Sequence, residues 1–414
     1  MNLEFAKIYT DRFILFCFCV FVFFLPIAHT ETVRAFSFGI PLGIWLLRML
    51  FQRRWLFIRT SLDLPILLYT IVGALSLITA VDFKYSLDEY FYEWLTGICL
   101  FYLVANDFRE GEMKYLLLAL LLGNLLMVGY GIGEFFYRGG LLLDYRIRAG
   151  SLHSSFGPFS TYLITILPYL FLAVFFVRKA GYRLLLITLL FFNLFALYIT
   201  HTRGAWMAAV FSLIFMSWKF VNKKILVISV TSAALFFLFF IPEGVVKHYP
   251  ITAPQAQIAP IETGDARWEL TLFILDRIKE NPFQMLGFGR GSFGKKYGEF
   301  VAKYPGAQLW HAHNIFLNVA LQTGIQGLII FCFLIYRIGQ YTYRGYKRRL
   351  GPLPKYYYLA TFIMILTFLT RTLFDDFFID DSALLFWFLI GVAVAIFKEE
   401  KEPPSATIVG IRDV

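Results

Sequence analysis

Residues 114–136 read KYLLLALLLGNLLMVGYGIGEFF, an apolar run with one charged residue near each end. A helix crosses the hydrocarbon core of a bilayer with about 20 mainly apolar residues, so this run predicts a membrane-spanning helix. The composition of the whole chain agrees, because 59% of its 414 residues are hydrophobic and only 16% are charged. The mean hydropathy is +0.66. A soluble globular domain of this size does not carry so apolar a sequence, so lipid is expected to be the solvent for most of the chain.

Eleven further apolar runs repeat this pattern along the chain. We therefore predict an all-α polytopic membrane protein with about twelve transmembrane helices. The first run follows Lys7 and Arg12 as a signal peptide would, but no small-residue cleavage site follows it, so it is interpreted as an uncleaved helix. The twelve runs lie at 12–28, 33–51, 63–80, 88–105, 114–136, 156–178, 182–200, 204–220, 223–241, 312–336, 355–373 and 382–397.

The basic residues determine the predicted orientation, because cytoplasmic loops retain Lys and Arg. With both termini inside, four basic clusters fall in cytoplasmic loops, around residues 53–59, 178–183, 219–224 and 344–355. This distribution explains the net charge of +10 without a nucleic-acid partner. The four cysteines lie inside apolar runs and have no disulfide or metal-binding spacing. Five arginines on the opposite side break the trend: Arg138, Arg146, Arg148, Arg203 and Arg371.

The long polar stretch between the ninth and tenth runs is the candidate active-site domain, and the orientation places it outside. We divide the chain into helices 1–9 at 1–241, a periplasmic loop domain at 242–311, helices 10–12 at 312–397 and a cytoplasmic tail at 398–414. Within the loop, Arg267–Glu280 has helical spacing of Trp268, Leu272, Leu275 and Ile278. This apolar face is expected to lie on the bilayer or over the bundle.

His311, His313 and Asn314 stand where the loop re-enters the membrane. The positive end of the following helix disfavours an imidazolium, so a histidine there is expected to be neutral at pH 7. A neutral imidazole is the form that acts as a general base. The alternative is an interfacial histidine that makes ordinary hydrogen bonds at the lipid headgroups.

Arginines on the outer side indicate an anionic ligand. Arg203 follows Thr202 at the outer end of a helix, and Arg267 and Arg290 lie in the large loop. Guanidinium groups match phosphate oxygens geometrically, which favours a ligand such as a lipid diphosphate. Contact with the phosphates of ordinary membrane lipids is the alternative.

Two further patterns have structural interpretations. Residues 289–294 match the dinucleotide spacing G-x-G-x-x-G, but no βαβ unit surrounds them, so they predict a tight turn against the bundle or a phosphate. Four aspartates near the last helix could hold a divalent metal, but no third ligand is identifiable, and acidic residues are simply tolerated on this side. These aspartates are Asp375, Asp376, Asp380 and Asp381.

Several segments together resemble the O-antigen ligase and O-antigen polymerase superfamily. The most specific is His313-Asn314, followed by nine residues and Gly324, which resembles the ligase signature. The resemblance covers roughly residues 146–330, in collinear order. The other segments are Arg148-Ala-Gly-Ser-Leu-His-Ser-Ser-Phe-Gly-Pro158, Thr202-Arg-Gly-Ala-Trp206, Asp265-Ala-Arg-Trp-Glu269 and Asn281-Pro-Phe-Gln-Met-Leu-Gly-Phe-Gly-Arg-Gly-Ser-Phe293.

The resemblance implies a GT-C-like glycosyltransferase of the bacterial inner membrane whose active site faces the periplasm. The donor would be a glycan on undecaprenyl diphosphate and the acceptor a sugar hydroxyl of lipid A core, with inversion and without metal or cofactor. His313 matches the essential histidine as general base, and Arg203 and Arg267 match the diphosphate-binding arginines. The remaining predicted substrate-binding residues are Arg146, Arg148, Arg290, His311 and Asn314. Membrane lipids are the other expected partners, and the protein is expected to be a monomer.

Other functions share part of this evidence. An O-antigen polymerase and a protein O-oligosaccharyltransferase use the same donor with other acceptors, and the His-x-nine-Gly spacing favours the ligase. A secondary transporter of two related halves would instead carry charges at the bilayer midplane. Few charges are predicted there, and Glu134 is near a helix end.

Overall fold

The computed structural model describes residues 3–52, 57–142, 146–153, 155–220, 263–304, 309–348 and 351–399. Within these ranges the regular structure is helical and contains no β-strand. The α-helices are α1 Leu3–Phe24, α2 Glu31–Gln52, α3 Asp63–Ser76, α4 Phe83–Glu89, α5 Thr96–Asp107, α6 Met113–Tyr137, α7 Phe156–Phe176, α8 Ala180–Ile199, α9 Arg203–Phe220, α10 Thr263–Glu280, α11 Ser292–Lys296, α12 Gly298–Ala302, α13 Ile315–Lys347, α14 Pro352–Thr372 and α15 Asp380–Glu399.

Six helices of the described part of the chain are long and apolar enough to cross a membrane: Glu31–Gln52, Glu110–Tyr137, Phe156–Phe176, Ala180–Ile199, Ile315–Lys347 and Pro352–Thr372. Two shorter helices, Asp63–Ser76 and Arg203–Ser217, are also apolar. A multi-span helical membrane protein is therefore confirmed. The count of about twelve stays a prediction, and the predicted run at 223–241 lies outside the described residues.

Glycines bring several helices of the bundle into close contact. A Cβ on Gly97 of α5 would lie 2.5 Å from the Trp387 ring of α15, and one on Gly345 of α13 would lie 2.5 Å from the Tyr358 ring of α14. Lipid tails are as apolar as the helix side chains, so the hydrophobic effect does not drive helices together inside a bilayer. Close backbone packing of this kind is therefore a main source of helix association. The buried aromatic rings against these glycines therefore hold the helices that carry the site.

The described part of the large loop has a small hydrophobic core of its own. Helix α10 confirms the helix predicted at Arg267–Glu280. Its predicted apolar face is not the face that packs on the protein, so contact of that face with the bilayer stays a prediction. Trp268, Leu272 and Leu275 are exposed, whereas Ala266, Leu270 and Ile274 are buried. The loop core, which includes Phe293 and Leu309, covers this second face, so tertiary packing selects the face and the apolar spacing alone does not.

The end of the bundle predicted to face the cytoplasm contains a closed ion-pair network. Arg48 of α2 donates to Asp11 of α1 at 2.9 Å and to Asp107 of α5 at 3.1 Å, and Arg109 donates to Asp11 at 2.6 Å. Each cation thus has a carboxylate partner that belongs to another segment, and the network ties these segments together.

Candidate active site

Two histidines share one carboxylate at the start of α13. His311 Nε2 lies 2.9 Å from Asp375 Oδ1, and His313 Nδ1 lies 3.1 Å from the same oxygen. The two imidazole rings are 4.0 Å apart between centroids. His313 adopts a left-handed backbone conformation with φ of 49°. The loop between α14 and α15 therefore supplies a partner, Asp375, to the histidines that precede α13.

Local hydrogen bonds explain why the histidines are held here. The Asn314 side chain caps α13 by accepting from the Phe316 and Leu317 amides, and it donates to the Leu373 carbonyl. Asn318 accepts from the Ala312 amide and donates to Asp376 at 2.5 Å. Helix α13 is thus fastened to both the histidine segment and the acidic loop. Because its amide already makes these contacts, Asn314 has a capping role here, and its predicted contact with substrate stays a prediction.

Gly324 breaks α13 and lets the large loop dock. Its φ of 72° and ψ of 176° interrupt the helix in a region that only glycine adopts readily. The Ile325 amide donates to the Pro282 carbonyl instead of the Leu321 carbonyl one turn earlier, and the Leu321 carbonyl accepts from the Leu286 amide. The glycine of the His-x-nine-Gly signature therefore anchors the segment that begins at Asn281 beside the histidine-bearing helix.

The pKa values of the cluster favour a neutral imidazole beside a carboxylate. Burial lowers the pKa of His313, and repulsion from His311 and Arg267 adds to this, although the Asp375 hydrogen bond and charge oppose it. Burial alone would raise the pKa of Asp375, but the hydrogen bonds from the two histidines lower it well below its usual range. The expected direction for His313 is found, with burial rather than the helix terminus as its leading cause.

Three of the predicted arginines lie near one another. Burial lowers the pKa of Arg148, and repulsion from Arg203 and Arg267 lowers it further. The Arg148 guanidinium lies over the Phe156 ring, 4.5 Å from its centroid. The Ala149 amide donates to the Ile199 carbonyl at the end of α8, which places the Arg148 segment beside the start of α9. Since the charge of Arg267 also acts on His313, Arg267 connects the cationic cluster with the histidines of the candidate site.

Arg371 also lies at the candidate site, although the sequence analysis named it only as a basic residue on the side where loops are otherwise acidic or neutral. It lies in the last turn of α14 with 3% of its surface exposed, and its guanidinium is 4.2 Å from the Phe377 ring centroid. The charges of Asp375 and Arg267 both act on it. Sequence reasoning missed it because its position between the two clusters depends on how α14 packs against α7 and α9.

One comparison with known proteins finds a related family. Residues 184–332 match the family model described as O-antigen ligase. The resemblance to the O-antigen ligase and polymerase superfamily is therefore confirmed. The matched range contains Arg203, Arg267, His313 and Gly324, whereas Arg148 and Arg371 lie outside it. A comparison with curated proteins finds no match.

Two other arginines, Arg290 and Arg146, were predicted to bind substrate, and that role stays a prediction. Arg290 lies on the glycine turn, and its described contact is electrostatic, with Tyr85. Arg146 is exposed. The turn itself is as predicted: Gly289 has φ of 96°, a Cβ on it would lie 2.7 Å from Glu89, and the Gly291 amide donates to the Tyr85 hydroxyl at 2.9 Å. These glycines serve the approach of the loop to α4.

The histidine and aspartate cluster has the composition of a metal site. One ligand atom from each of His311, His313 and Asp375 lies within 4.8 Å of the others, so the histidines complete the ligand set that the acidic loop alone could not provide. Like charges repel, so the nearby guanidiniums of Arg267 and Arg371 disfavour a divalent cation here. Metal-free transfer stays a prediction, and it is open to a direct test.

Proposed function

We propose that this protein is an O-antigen ligase of the bacterial inner membrane. It transfers a glycan from undecaprenyl diphosphate to a sugar hydroxyl of lipid A core on the periplasmic face. The observation that carries the proposal is the juxtaposition of His313, whose pKa is lowered by burial, with guanidiniums that form no ion pair with a described carboxylate. A base and an anion-binding surface are the two parts that this reaction needs.

The hydrogen bonds of the cluster indicate which atom is the base. An ionised Asp375 can only accept, so the Nδ1 of His313 that faces it carries the proton. The lone pair then resides on Nε2, which removes the proton from the acceptor hydroxyl. The hydroxyl oxygen attacks the anomeric carbon from the side opposite to the diphosphate, so the configuration inverts. Asp375 acts as a positioning residue because it fixes this tautomer and the orientation of the ring.

The arginines act on the leaving group. As the bond from the anomeric carbon to the diphosphate oxygen breaks, its electron pair and the added negative charge remain on the diphosphate. Arg203 and Arg267 stabilise that charge, since donors already held in place cost no reorganisation during the reaction. Arg148 extends the same cationic surface, because its charge and theirs act on one another.

Transfer by the purified chain in lipid vesicles tests the proposal. Vesicles contain an undecaprenyl-diphosphate glycan and lipid A core, and the product is the glycan joined to the core. His313→Ala is expected to lower the rate at least about 100-fold, the contribution of a general base. His29→Ala, a histidine in the loop between α1 and α2, is the matched control and should keep the wild-type rate. Equal rates for the two variants would remove His313 as the base.

A chelator distinguishes metal-free transfer from a metal centre at His311, His313 and Asp375. We expect the rate to persist after treatment with a chelator. Loss of transfer that a divalent cation restores would contradict the metal-free mechanism and assign the cluster to metal binding.

A deletion strain separates the ligase from the polymerase. We expect full-length polymer to accumulate on the polyprenyl carrier, because the last transfer to the core is missing. Single repeats attached to the core would instead identify a polymerase.

A further inference from the structure

Helix α9 presents its N-terminus at the candidate site. It begins at Arg203 and runs for 18 residues, and the first hydrogen bonds at this end are donated by the Ala205 and Trp206 amides to the Thr202 carbonyl. The amides of the first turn that precede them have no carbonyl one turn back to receive them. Such an end carries partial positive charge and favours an anion.

A second feature at the same place is independent of the helix. Only 3% of the surface of Arg371 is exposed, and its Nε has no hydrogen-bond partner among the described residues. Its Nη1 lies 3.2 Å from the position that a Cβ on Gly204 would occupy. The guanidinium therefore rests on the first turn of α9, where the absence of a side chain at Gly204 leaves it room.

No carboxylate in the described part of the chain neutralises this guanidinium by a direct ion pair. Asp375, whose charge acts on it, is engaged by both His311 and His313. The charge of Arg267 repels it. A buried guanidinium with an unbonded Nε and no direct ion pair is destabilising, so its presence at a helix N-terminus favours a ligand that supplies the missing hydrogen bonds and negative charge.

We propose that Arg371 and the first turn of α9 form a phosphate-binding site for a phosphate group of a diphosphate ligand. This inference rests on the proposed function and deepens it. Arg371 would be a substrate-binding residue at the buried end of the cationic surface, in addition to Arg203 and Arg267. Gly204 is part of the site because any larger residue would displace the guanidinium from the amides.

Thermal unfolding of the full chain in detergent, with and without a polyprenyl diphosphate, tests this site. The ligand should raise the unfolding midpoint of the wild type. Arg371→Met should bind the ligand about 10- to 100-fold more weakly, the worth of a charged hydrogen bond. Its ligand-free midpoint should equal or exceed that of the wild type, because an unpaired buried charge is removed. A merely structural arginine would give the opposite result, a lower ligand-free midpoint with the ligand shift intact.

Arg34→Met is the matched control, since Arg34 lies at the same end and pairs with Asp381. It should lower the ligand-free midpoint and keep the ligand-induced shift. Gly204→Ala is a second variant that keeps Arg371. Its added methyl would lie 2.9 Å from the Phe374 Cβ, so this variant should bind the ligand more weakly although no charge is removed.

Inorganic pyrophosphate is the second probe. If pyrophosphate raises the unfolding midpoint of the wild type and Arg371→Met abolishes that shift, the site recognises the phosphate groups alone. If only the polyprenyl diphosphate raises the midpoint, and the variant again loses the shift, the site recognises the lipid-linked form. Wild-type affinity in Arg371→Met overturns this inference and leaves the proposed function standing. A wild type that shows no shift with either probe overturns both.

Discussion

The two ends of the bundle treat arginine in opposite ways. At the end predicted to be cytoplasmic, Arg48 and Arg109 are neutralised by Asp11 and Asp107. At the other end, the arginines of the site form no ion pair with any carboxylate in the described ranges. They are Arg148, Arg203, Arg267 and Arg371.

A shortage of carboxylates does not explain this difference. Arg34 at the same outer end is paired with Asp381, and Asp375 lies within the electrostatic reach of Arg371 but is used by the histidines. Paired arginines stabilise the packing of helices, whereas mutually repelling arginines cost stability. The comparison supports the proposal that the outer cluster binds an anionic ligand, because unpaired arginines do not stabilise the fold as the paired ones do.

Replacing a site arginine by lysine should give the largest effect. Arg203→Lys and Arg267→Lys are each expected to lower the transfer rate about 100-fold, because an ammonium cannot make the two parallel hydrogen bonds of a guanidinium. Arg48→Lys, in the paired network, should leave the rate within about twofold of the wild type. Rates in lipid vesicles at fixed protein content measure both. If lysine supports full transfer at 203 and 267, the two ends do not differ in function.

Removing the charge of Asp375 should give a smaller effect with a distinctive pH dependence. Asp375→Asn is expected to lower the rate about 10-fold through loss of orientation. Asp375 opposes the lowering of the His313 pKa, so without its charge that pKa falls further and the base stays deprotonated to lower pH. The acid limb of the rate profile should therefore move to lower pH, as measured from about pH 4 to pH 8.

Asp381→Asn is the control for this profile, because it removes a carboxylate that pairs with Arg34 outside the histidine cluster. Its acid limb should coincide with that of the wild type. A limb that moves to higher pH in Asp375→Asn would contradict the assignment of His313 as the titrating base.

The smallest expected effect is on stability. Arg48→Met should lower the free energy of unfolding by about 1 kcal/mol, since the pair is partly exposed and screened by solvent. Arg203→Met should leave it unchanged or raise it, because repulsion from Arg148 is removed. Thermal midpoints of the two variants measure the contrast. Equal losses at both positions would mean that the outer arginines are structural as well.

Motif spacing and the distribution of basic residues predicted part of the candidate site from the sequence alone. It placed His313, Arg203, Arg267 and Arg148 on the outer side. In the structure Arg203 and Arg267 lie within electrostatic reach of Arg148, and Arg267 lies within reach of His313. Sequence reasoning could not find Arg371, whose only signal was a basic residue on the acidic side. It also interpreted Asp375 as a tolerated surface charge, because its histidine partners are more than sixty residues away in the chain.

The sequence by itself determined that the chain is a helical membrane protein, because the length of each apolar run and its lack of charged residues depend only on local composition. It also placed the histidines at the start of the tenth predicted run, but it did not predict the break of that helix at Gly324. Only the tertiary structure decided which face of α10 is buried, which carboxylate orients His313 and which arginines remain without an ion pair. Those outcomes depend on contacts between distant segments, where packing and the competition for each carboxylate are settled by the whole fold.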